Sequence, residues 1–459
     1  MSERIKRGGS REVDMLHGPL GWKLFYFAVP VAVTGILQQL FNAADVAVVG
    51  QFASKEAMAA VGSNSPIVGL LVNLFVGISL GANVVISMAI GSGDRERISK
   101  AVHTAVVFAV LAGLAMTALG EAISRPMLEL LGVPENIMPM ALAYLRIYIA
   151  GLPVIFLYNF ESAIFRSHGD TRTPLICLII SGALNVVLNL FFVIVVGMDA
   201  DGVALATVIS NLTSSLLMFI MLLTAKSDFR VEFSKLRIDG SALAQMLRIG
   251  VPAGVQGMVF AISNLCIQSA INSLGSDIMA ASSAAFNIEI LAYFIINGFG
   301  QACTTFTGQN SGARLPERCR TVFKITMLQS LAASVIMPVV LLLPGRFLLG
   351  LFNPDPVIAD EGMVRMKMVL AFEFINAAME ILSGALRGHG YSLAPALLTL
   401  VGVCGLRIFW VFTIFKAHRS FGLLMASYPI SWAITAAAIA VYYIVMRKKL
   451  YADPAGEAA

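Results

Sequence analysis

Twelve long apolar segments constrain the fold of this chain more than any other feature of its sequence. A helix needs about 20 mostly apolar residues to cross a bilayer, and each of these segments reaches that length. Backbone groups in lipid must be paired within the protein, so spans of this kind form helices. The segments lie near residues 21–49, 57–86, 102–123, 137–164, 174–198, 203–225, 243–272, 280–307, 321–344, 361–386, 394–416 and 421–446. The sequence therefore predicts an all-α polytopic membrane protein with 12 transmembrane helices.

Charge supports this class and predicts an orientation. Only 13% of the residues are charged, against about 25% in soluble domains. If the N-terminus is inside, 23 of the 32 lysines and arginines fall in or beside inner loops, which is the positive-inside pattern. The net charge of +5 therefore indicates membrane topology rather than nucleic-acid binding. We expect a multi-pass protein of a prokaryotic inner (plasma) membrane, with an uncleaved first span and both termini cytoplasmic.

The chain also repeats itself at a nearly constant offset. PVAVTGILQQLFNAADV at 30–46 aligns with PAGVQGMVFAISNLCIQ at 252–268, and AIFRSHGDTRTP at 163–174 aligns with GALRGHGYSLAP at 384–395. Apolar segments can match by chance, but the second pair includes a polar loop. Six spans per copy predict two lobes in a 6+6 parallel repeat. The predicted boundaries are a tail at 1–20, an N-lobe at 21–225, a linker at 226–242, a C-lobe at 243–446 and a tail at 447–459.

Asp45 is the most informative polar residue of the first segment. A carboxylate at membrane depth costs roughly 2.5–3.5 kcal/mol and is by default a functional-site hypothesis. Helical spacing places Gln38, Asn42 and Asp45 on one stripe of the helix, and these residues are candidates for substrate binding or gating. The alternative is a structural acid bonded to a neighbouring helix.

Two later helices of the N-lobe offer oxygen ligands. Asn185 and Asn189 are four residues apart and share a face of helix 5, and Thr207 lies in helix 6. Amide, hydroxyl and carboxylate oxygens suit a hard cation such as Na⁺. An acid in apolar surroundings could instead carry a proton. The asparagines could also form hydrogen bonds between helices that serve only packing. The sequence does not decide between these roles.

The C-lobe contributes further candidates for substrate binding or gating. Glu373 and Asn376 lie in helix 10, and Arg407 lies at a similar depth in helix 11, so we expect Glu373 and Arg407 to pair. This pair could fix helix packing or relay charge. Glu289 in helix 8 could meet a cationic substrate or be a partly hydrated rim acid. Glu161 and Glu380 are expected near the inner vestibule or paired with arginines.

Motifs for enzyme chemistry are absent from the sequence. There is no G-x-x-x-x-G-K-[ST] for ATP hydrolysis and no H-E-x-x-H for zinc. No grouping of nucleophile and base shares a membrane depth, so we predict no catalytic residues and no enzyme activity. Two membrane lobes without an ATPase motif fit a secondary transporter.

The chain resembles the multidrug and toxic compound extrusion (MATE) family along essentially its whole length. The matching motifs are NAAD at 42–45, SGALNVVLN at 181–189, GVALAT at 202–207, FRSHGD at 165–170 and LRGHG at 386–390. The resemblance implies cation-coupled export of organic cations through a V-shaped pair of lobes. It places the N-lobe cation site on Asp45, Asn185, Asn189 and Thr207, which are metal ligands only if Na⁺ is the coupling ion.

The second lobe departs from many members of that family. They carry acids in helices 7 and 10, whereas this chain has no acid at 259–262 and has Asn376 at the helix 10 position. The repeat partner of Asp45 is Ile267. We therefore expect coupling to depend mainly on the N-lobe.

These observations predict an antiporter that exports lipophilic organic cations in exchange for H⁺ or Na⁺. We expect no other cofactor, no nucleic-acid partner, small cationic drugs and the bilayer as partners, and a monomer. One alternative is a lipid-linked saccharide flippase of the same superfamily. A channel or a membrane enzyme is the other.

Overall fold

A computed structural model describes residues 12–225 and 227–451. The remaining residues, 1–11, 226 and 452–459, belong to the predicted tails and linker and lie outside the described part. Eleven helices are long and apolar enough to cross a membrane, and a bent pair of helices supplies a twelfth span. In chain order the spans are α1 Gly21–Phe52, α2 Lys55–Ser92, α3 Arg95–Leu130, α4 Met138–Ala150 with Leu152–Ser167, α5 Arg172–Val195, α6 Ala200–Thr224, α7 Gly240–Asn272, α8 Ser276–Gly312, α9 Pro316–Leu342, α10 Pro356–Gly388, α11 Leu393–Phe415 and α12 Phe421–Leu450.

Local signals fix where several spans begin. Ser54, Asp94, Asp239 and Asp355 cap α2, α3, α7 and α10, and each side chain accepts a hydrogen bond from a first-turn backbone N–H. Such caps satisfy donors that the helix itself leaves unpaired. Three of these spans therefore begin several residues before the predicted apolar segment, because the cap lies in the polar loop.

The two largest hydrophobic cores of the described residues follow the two predicted lobes, and α1 and α7 are shared between them. Leu24 and Phe27, in the first half of α1, belong to the core of the C-lobe. The Phe27 ring meets Phe306 of α8 edge-on, with ring centroids 5.5 Å apart. Met246 and Ile249, in the first half of α7, belong to the core of the N-lobe. Each lobe therefore contains a half-helix from the other.

Each shared helix passes from the core of one lobe to the core of the other near an internal proline. This residue is Pro30 in α1 and Pro252 in α7. Beyond Pro30, the ring of Phe41 fills the space where a side chain on Gly182 of α5 would lie, so α1 there packs on the N-lobe. Beyond Pro252, Ile267 lies in the C-lobe core. Proline removes a helical hydrogen bond and permits a bend, so each helix can bend where it passes from one core to the other.

Glycines bring α2 and α7 into close backbone contact between the lobes. A methyl group on Gly250 would lie 2.6 Å from the carbonyl oxygen of Ile78, and one on Gly254 would meet the carbonyl oxygen of Leu74 at 2.5 Å. Real Cβ atoms do not approach backbone so closely. The absence of side chains at these positions allows the two helices to touch.

The first and last described segments of the chain lie on one face of the molecule, which we call the terminal face. Arg318 Nη2 donates to the carbonyl oxygen of Met15 at 3.1 Å. Half a turn further along α9, the guanidinium of Arg320 lies 5.0 Å from the ring centroid of Tyr451. An even number of spans requires this arrangement.

The lobes are closed against each other at the terminal face. Arg166 of α4 donates to Gln301 of α8 at 2.8 Å, and Gln309 of α8 donates to the carbonyl oxygen of Ser167 at 2.6 Å. Residues 12–20 add a strap that crosses both lobes. The strap holds α9 through Arg318 and meets the N-lobe where Val13 N donates to Gly169 O at 3.2 Å.

Candidate ion site and C-lobe cavity

The structure brings together the four side chains predicted for the N-lobe ion site. Asn189 Nδ2 donates to Asp45 Oδ1 at 2.5 Å and also lies 3.3 Å from Asn185 Oδ1. The side chains of Asn185 and Thr207 also interact with the Asp45 carboxyl group. The close approach of α1 to α5 at Gly182 positions this cluster.

Several oxygens of the cluster are available to a cation. Asn189 Oδ1 is buried and has no hydrogen-bond partner. The Thr207 hydroxyl has a single proton, for which Val203 O, at 3.0 Å, and the Asp45 carboxyl group are alternative acceptors, and its oxygen retains lone pairs. Asp45 forms no ion pair with any residue in the described part of the chain. Carboxylate, amide and hydroxyl oxygens match Na⁺, and the same carboxylate can hold a proton.

A pair of tyrosines beside this cluster was not predicted. Tyr144 and Tyr148 of α4 are buried, interact electrostatically with Asp45 and stack with their ring centroids 6.5 Å apart. Their spacing of four residues within an apolar span was the available sequence signal. Gln38 and Asn42, by contrast, are exposed, and the described residues give them no hydrogen bond. Their predicted role stays a prediction.

A cavity of about 420 Å³ lies mainly in the C-lobe, and we call it the C-lobe cavity. Helices α7, α8, α10, α11 and α12 line most of it, and α2 and Arg166 of the N-lobe complete the wall. Seven charged residues face this space: Arg166, Arg365, Arg387, Arg407, Glu289, Glu373 and Glu380. Asp45 is not among the lining residues, so the ion site and the cavity are separate.

Glu289 pairs with an arginine that the sequence analysis did not select. Arg365 Nε lies 3.1 and 3.2 Å from the two carboxylate oxygens of Glu289, and Arg365 Nη2 donates to the same group. Ser282 Oγ accepts a further bond from Arg365 Nη1 at 2.7 Å. Both charged side chains are buried. Glu289 is therefore not a partly hydrated rim acid, because its charge is held by a buried guanidinium.

The expected pairing of Glu373 with Arg407 is wrong. Glu373 accepts a hydrogen bond from Asn376 Nδ2 at 2.8 Å, whereas Arg407 Nε donates to Ser431 Oγ at 3.1 Å. The guanidinium of Arg407 lies 3.9 Å from the ring centroid of Tyr428. The two residues line one cavity at matched depth, but depth does not fix the direction in which a side chain points. A break before Glu373 and π-helical turns around Arg407 change both directions.

Glu161 and Glu380, both expected near the inner vestibule, have different partners. Glu380 pairs with Arg387 at 2.5 Å, which confirms the expectation of an arginine partner. Glu161 instead lies fully buried in the N-lobe, where it accepts a hydrogen bond from Ser215 at 2.9 Å. The expectation of an arginine partner or a vestibule position is therefore wrong for Glu161.

Comparison with known proteins identifies the family. The MatE family model matches residues 30–191 and 252–413, which together make up more than half of the chain and fall one in each lobe. The chain belongs to the MatE family. The predicted resemblance to MATE transporters is thereby confirmed, and so is the all-α fold of twelve spans in two repeated lobes.

Named members and a solved structure extend along most of the chain. The chain is 26% identical over 447 residues to the probable multidrug resistance protein YoeA of Bacillus subtilis, which covers 94% of this chain and 95% of that protein. It is 26% identical over 411 residues to the probable multidrug resistance protein NorM of Thermotoga maritima, covering 88% and 87%. An outward-facing multidrug resistance MATE family transporter of known structure superimposes with a TM-score of 0.88, at 21% identity, over 97% and 99% of the two chains. This MatE protein is therefore a multi-pass membrane transporter rather than an enzyme.

Proposed function

We propose that this protein is a secondary antiporter that exports organic cations in exchange for Na⁺ or H⁺, with coupling through Asp45. The observation that carries the proposal is the Asp45 cluster itself. A carboxylate on a membrane-spanning helix has no cationic partner among the described residues and lies beside Asn189, whose oxygen is buried without a donor. Such an arrangement is costly unless a cation or a proton occupies it.

Coupling follows from the position of Asp45 on α1. A cation at the cluster interacts with α1, α5 and α6 at once, so it stabilises the packing of the far half of α1 on the N-lobe. The first half of α1 contributes to the C-lobe core. Occupancy of the site therefore biases how the two lobes are arranged. By linkage, whatever the ion does to drug affinity, the drug does equally to ion affinity.

The relatives support drugs rather than lipid-linked saccharides as the cargo. Both named relatives are probable multidrug resistance proteins, so the flippase alternative is not favoured. A C-lobe cavity of about 420 Å³ falls within the roughly 300–1,000 Å³ of drug-sized sites. The bacterial relatives and the basic inner loops support a plasma-membrane location with the terminal face in the cytoplasm.

The test is export from proteoliposomes that contain the full-length protein, with Na⁺ and pH gradients imposed separately. The wild type should accumulate ethidium against its gradient under one of the two driving forces. Asp45→Asn should reduce this accumulation at least about tenfold, since the ionisable group is lost. Asp277→Asn is the matched control, because Asp277 is an exposed acid in the first turn of α8. Undiminished gradient-driven accumulation by the Asp45 variant would exclude this coupling site.

A further inference from the structure

A second pocket lies at the terminal face, where the linker between the lobes passes the beginning of α3, and we call it the linker pocket. Its volume is about 440 Å³, which is within the range of small-molecule sites. The first three turns of α3 form one wall, and linker residues between 234 and 239 form the other. It shares no lining residue with the C-lobe cavity.

Two neighbouring residues of α3 hold the linker at the two ends of its wall. The backbone N–H of Glu232 donates to His103 Nε2 at 2.9 Å. The backbone N–H of Asp239 donates to Thr104 Oγ1, also at 2.9 Å. The other ring nitrogen of His103 donates to Ser99 O at 2.7 Å, so the ring holds the linker as a neutral imidazole. Both ends of the linker wall are therefore fixed to α3, which preorganises the pocket.

Positive charge predominates in the lining of this pocket. The charged residues are two acids and four basic residues: Glu96, Asp239, Arg95, Lys100, Lys235 and Arg237. Four positive charges against two negative ones leave a net charge of +2 when all are ionised. Three of the basic side chains have a carboxylate within 3.4 Å, but each of those carboxylates is exposed. Exposed pairs contribute little free energy, so another anion can replace these partners.

Arg237 is the basic residue of the pocket that has no partner. It is exposed and forms neither a hydrogen bond nor an ion pair within the described part of the chain. It repels Lys100 on the opposite wall. Asp239 also interacts with Lys100, but Asp239 Oδ1 caps α7 by accepting a hydrogen bond from Ala242 N at 2.9 Å. An anion between Arg237 and Lys100 would replace their repulsion with two attractive contacts.

Exposed apolar side chains on both flanks of the linker wall place this pocket at the bilayer surface. Phe233 is 68% exposed and Ile238 is 41% exposed. The Phe233 ring contacts Phe219 of α6 edge-on, with ring centroids 6.1 Å apart. Phe219 lies five residues before the end of α6 at Thr224, a rise of about 8 Å. The linker therefore lies against the side of a membrane span, with apolar groups next to the basic pocket.

We propose that the linker pocket binds the phosphate group of an anionic phospholipid. Arg237 donates parallel N–H groups to two phosphate oxygens, and Lys100 supplies a second positive charge from the opposite wall. Phe233 and Ile238 contact the first part of the acyl chains, which a soluble phosphate lacks. A zwitterionic lipid has the same phosphate, but its ammonium group is repelled by the net positive charge of the pocket. The inference goes beyond the proposed export function and does not depend on it.

Two short-chain lipids and inorganic phosphate test the proposal on the full-length wild-type protein. Dioctanoyl phosphatidylglycerol is anionic, whereas dioctanoyl phosphatidylcholine has the same chains and phosphate but no net charge. Native mass spectrometry from a neutral detergent should show saturable binding of the glycerol lipid, with an affinity at least about tenfold higher than that of the choline lipid. Equal affinities would overturn the proposal. Inorganic phosphate at the same concentration should not displace the lipid, and displacement would refute a lipid as the ligand.

Substitution then locates the bound lipid. Arg237→Gln should weaken binding of phosphatidylglycerol about fivefold, and the double variant Lys100→Gln with Arg237→Gln should weaken it at least about tenfold. The control is Arg447→Gln with Lys448→Gln, which removes two exposed positive charges at the end of α12, on the same face but outside the pocket. This control should leave the affinity within about twofold of the wild type. An equal loss in both double variants would mean that the charge of the whole face attracts the lipid, and the assignment to this pocket would be wrong.

Hydrogen exchange of the linker gives a readout that does not depend on measuring affinity. A headgroup in contact with both walls joins the linker to α3, so it should slow the opening of this segment. In nanodiscs that contain phosphatidylglycerol, amides of residues 234–238 should exchange at least about threefold more slowly than in pure phosphatidylcholine. The double variant Lys100→Gln with Arg237→Gln should not show this difference. Equal exchange of the wild type in both lipids would contradict the proposal.

Discussion

Removing the carboxylate of Glu289 should destabilise the C-lobe strongly. The perturbation is Glu289→Gln, which keeps the size of the side chain and removes its charge. Arg365 is only 4% exposed and directs three of its contacts at this carboxylate. After the substitution, Ser282 remains as a hydrogen-bond acceptor for the guanidinium.

The expected magnitude follows from the burial of both partners. Removing one member of a buried ion pair typically costs 3–5 kcal/mol, because the other charge stays buried without compensation. Glutamine keeps one acceptor oxygen, and Ser282 keeps its hydrogen bond to Arg365, so part of the hydrogen bonding of the guanidinium remains. We therefore expect about 3 kcal/mol, the lower end of that range. The double variant Glu289→Gln with Arg365→Met removes both charges and should recover most of this loss.

Equilibrium unfolding in mixed micelles of increasing SDS fraction measures the free energies of unfolding. The control is Glu129→Gln, which removes one member of the exposed pair Arg125–Glu129 at 2.9 Å. An exposed i,i+4 pair contributes only about 0.3–0.5 kcal/mol. The comparison therefore separates the burial of the charge from the loss of a hydrogen bond.

Two results would refute the reasoning. One is a loss of less than about 1 kcal/mol in Glu289→Gln, which is the range of surface pairs. The other is a double variant whose loss equals the sum of the two single losses. Additivity would mean that the two charges do not stabilise each other.

Two further predictions concern the loops and the seam between the lobes. Burial lowers the pKa of His168 to about 3 and that of His389 to about 4, from 6.5. As the pH drops below 6.5, these histidines bind protons in the unfolded chain but not in the folded one, so the free energy of unfolding should fall. At pH 5 each histidine should lower the free energy of unfolding by about 2 kcal/mol. Replacing both by Gln should flatten the pH dependence of the thermal midpoint. An unchanged pH dependence would contradict this assignment. Gly250→Val should force α7 away from α2 and lengthen the distance between spin labels at their terminal-face ends, whereas Gly62→Val, where a side chain meets open space, should not. Equal distances in both variants would rule out the seam as a steric contact.

The sequence was sufficient for the parts of the structure that depend on position along the chain. The number of spans follows from apolar length, and the two lobes follow from the repeat. Asn185 and Asn189 share a face of α5 because residues three or four apart do so in a helix, whereas their grouping with Asp45 of α1 came from the family resemblance. Helix ends were less well predicted, since hydropathy detects the lipid-facing part and not the capped turns beyond it. Thus α3 runs from Arg95 to Leu130, well past the apolar segment.

Pairing between helices could not be predicted in the same way. Residue counting gave Glu373 and Arg407 similar depths, but their contacts depend on the rotation of each helix about its axis. The π-helical turns Leu400–Gly405 and Val411–Phe415 add to that uncertainty, because each changes the rotation relative to a regular α-helix. Arg365 was missed for a related reason. It lies early in α10, and its depth alone did not indicate that Glu289 of the neighbouring helix faces it.

Because α1 is divided between two cores, a small change of angle within this helix produces a large displacement at its far end. Fifteen residues separate Pro30 from Asp45, a rise of about 22 Å along a helix. The first half is anchored in one lobe, so a 20° bend at Pro30 would carry the far arm sideways by about 8 Å at the carboxylate. A displacement of that size exceeds the reach of any hydrogen bond in the cluster. If the proposed coupling holds, binding one small ion, which changes contacts by fractions of an ångström, would be converted into a movement as large as the gap between two helices.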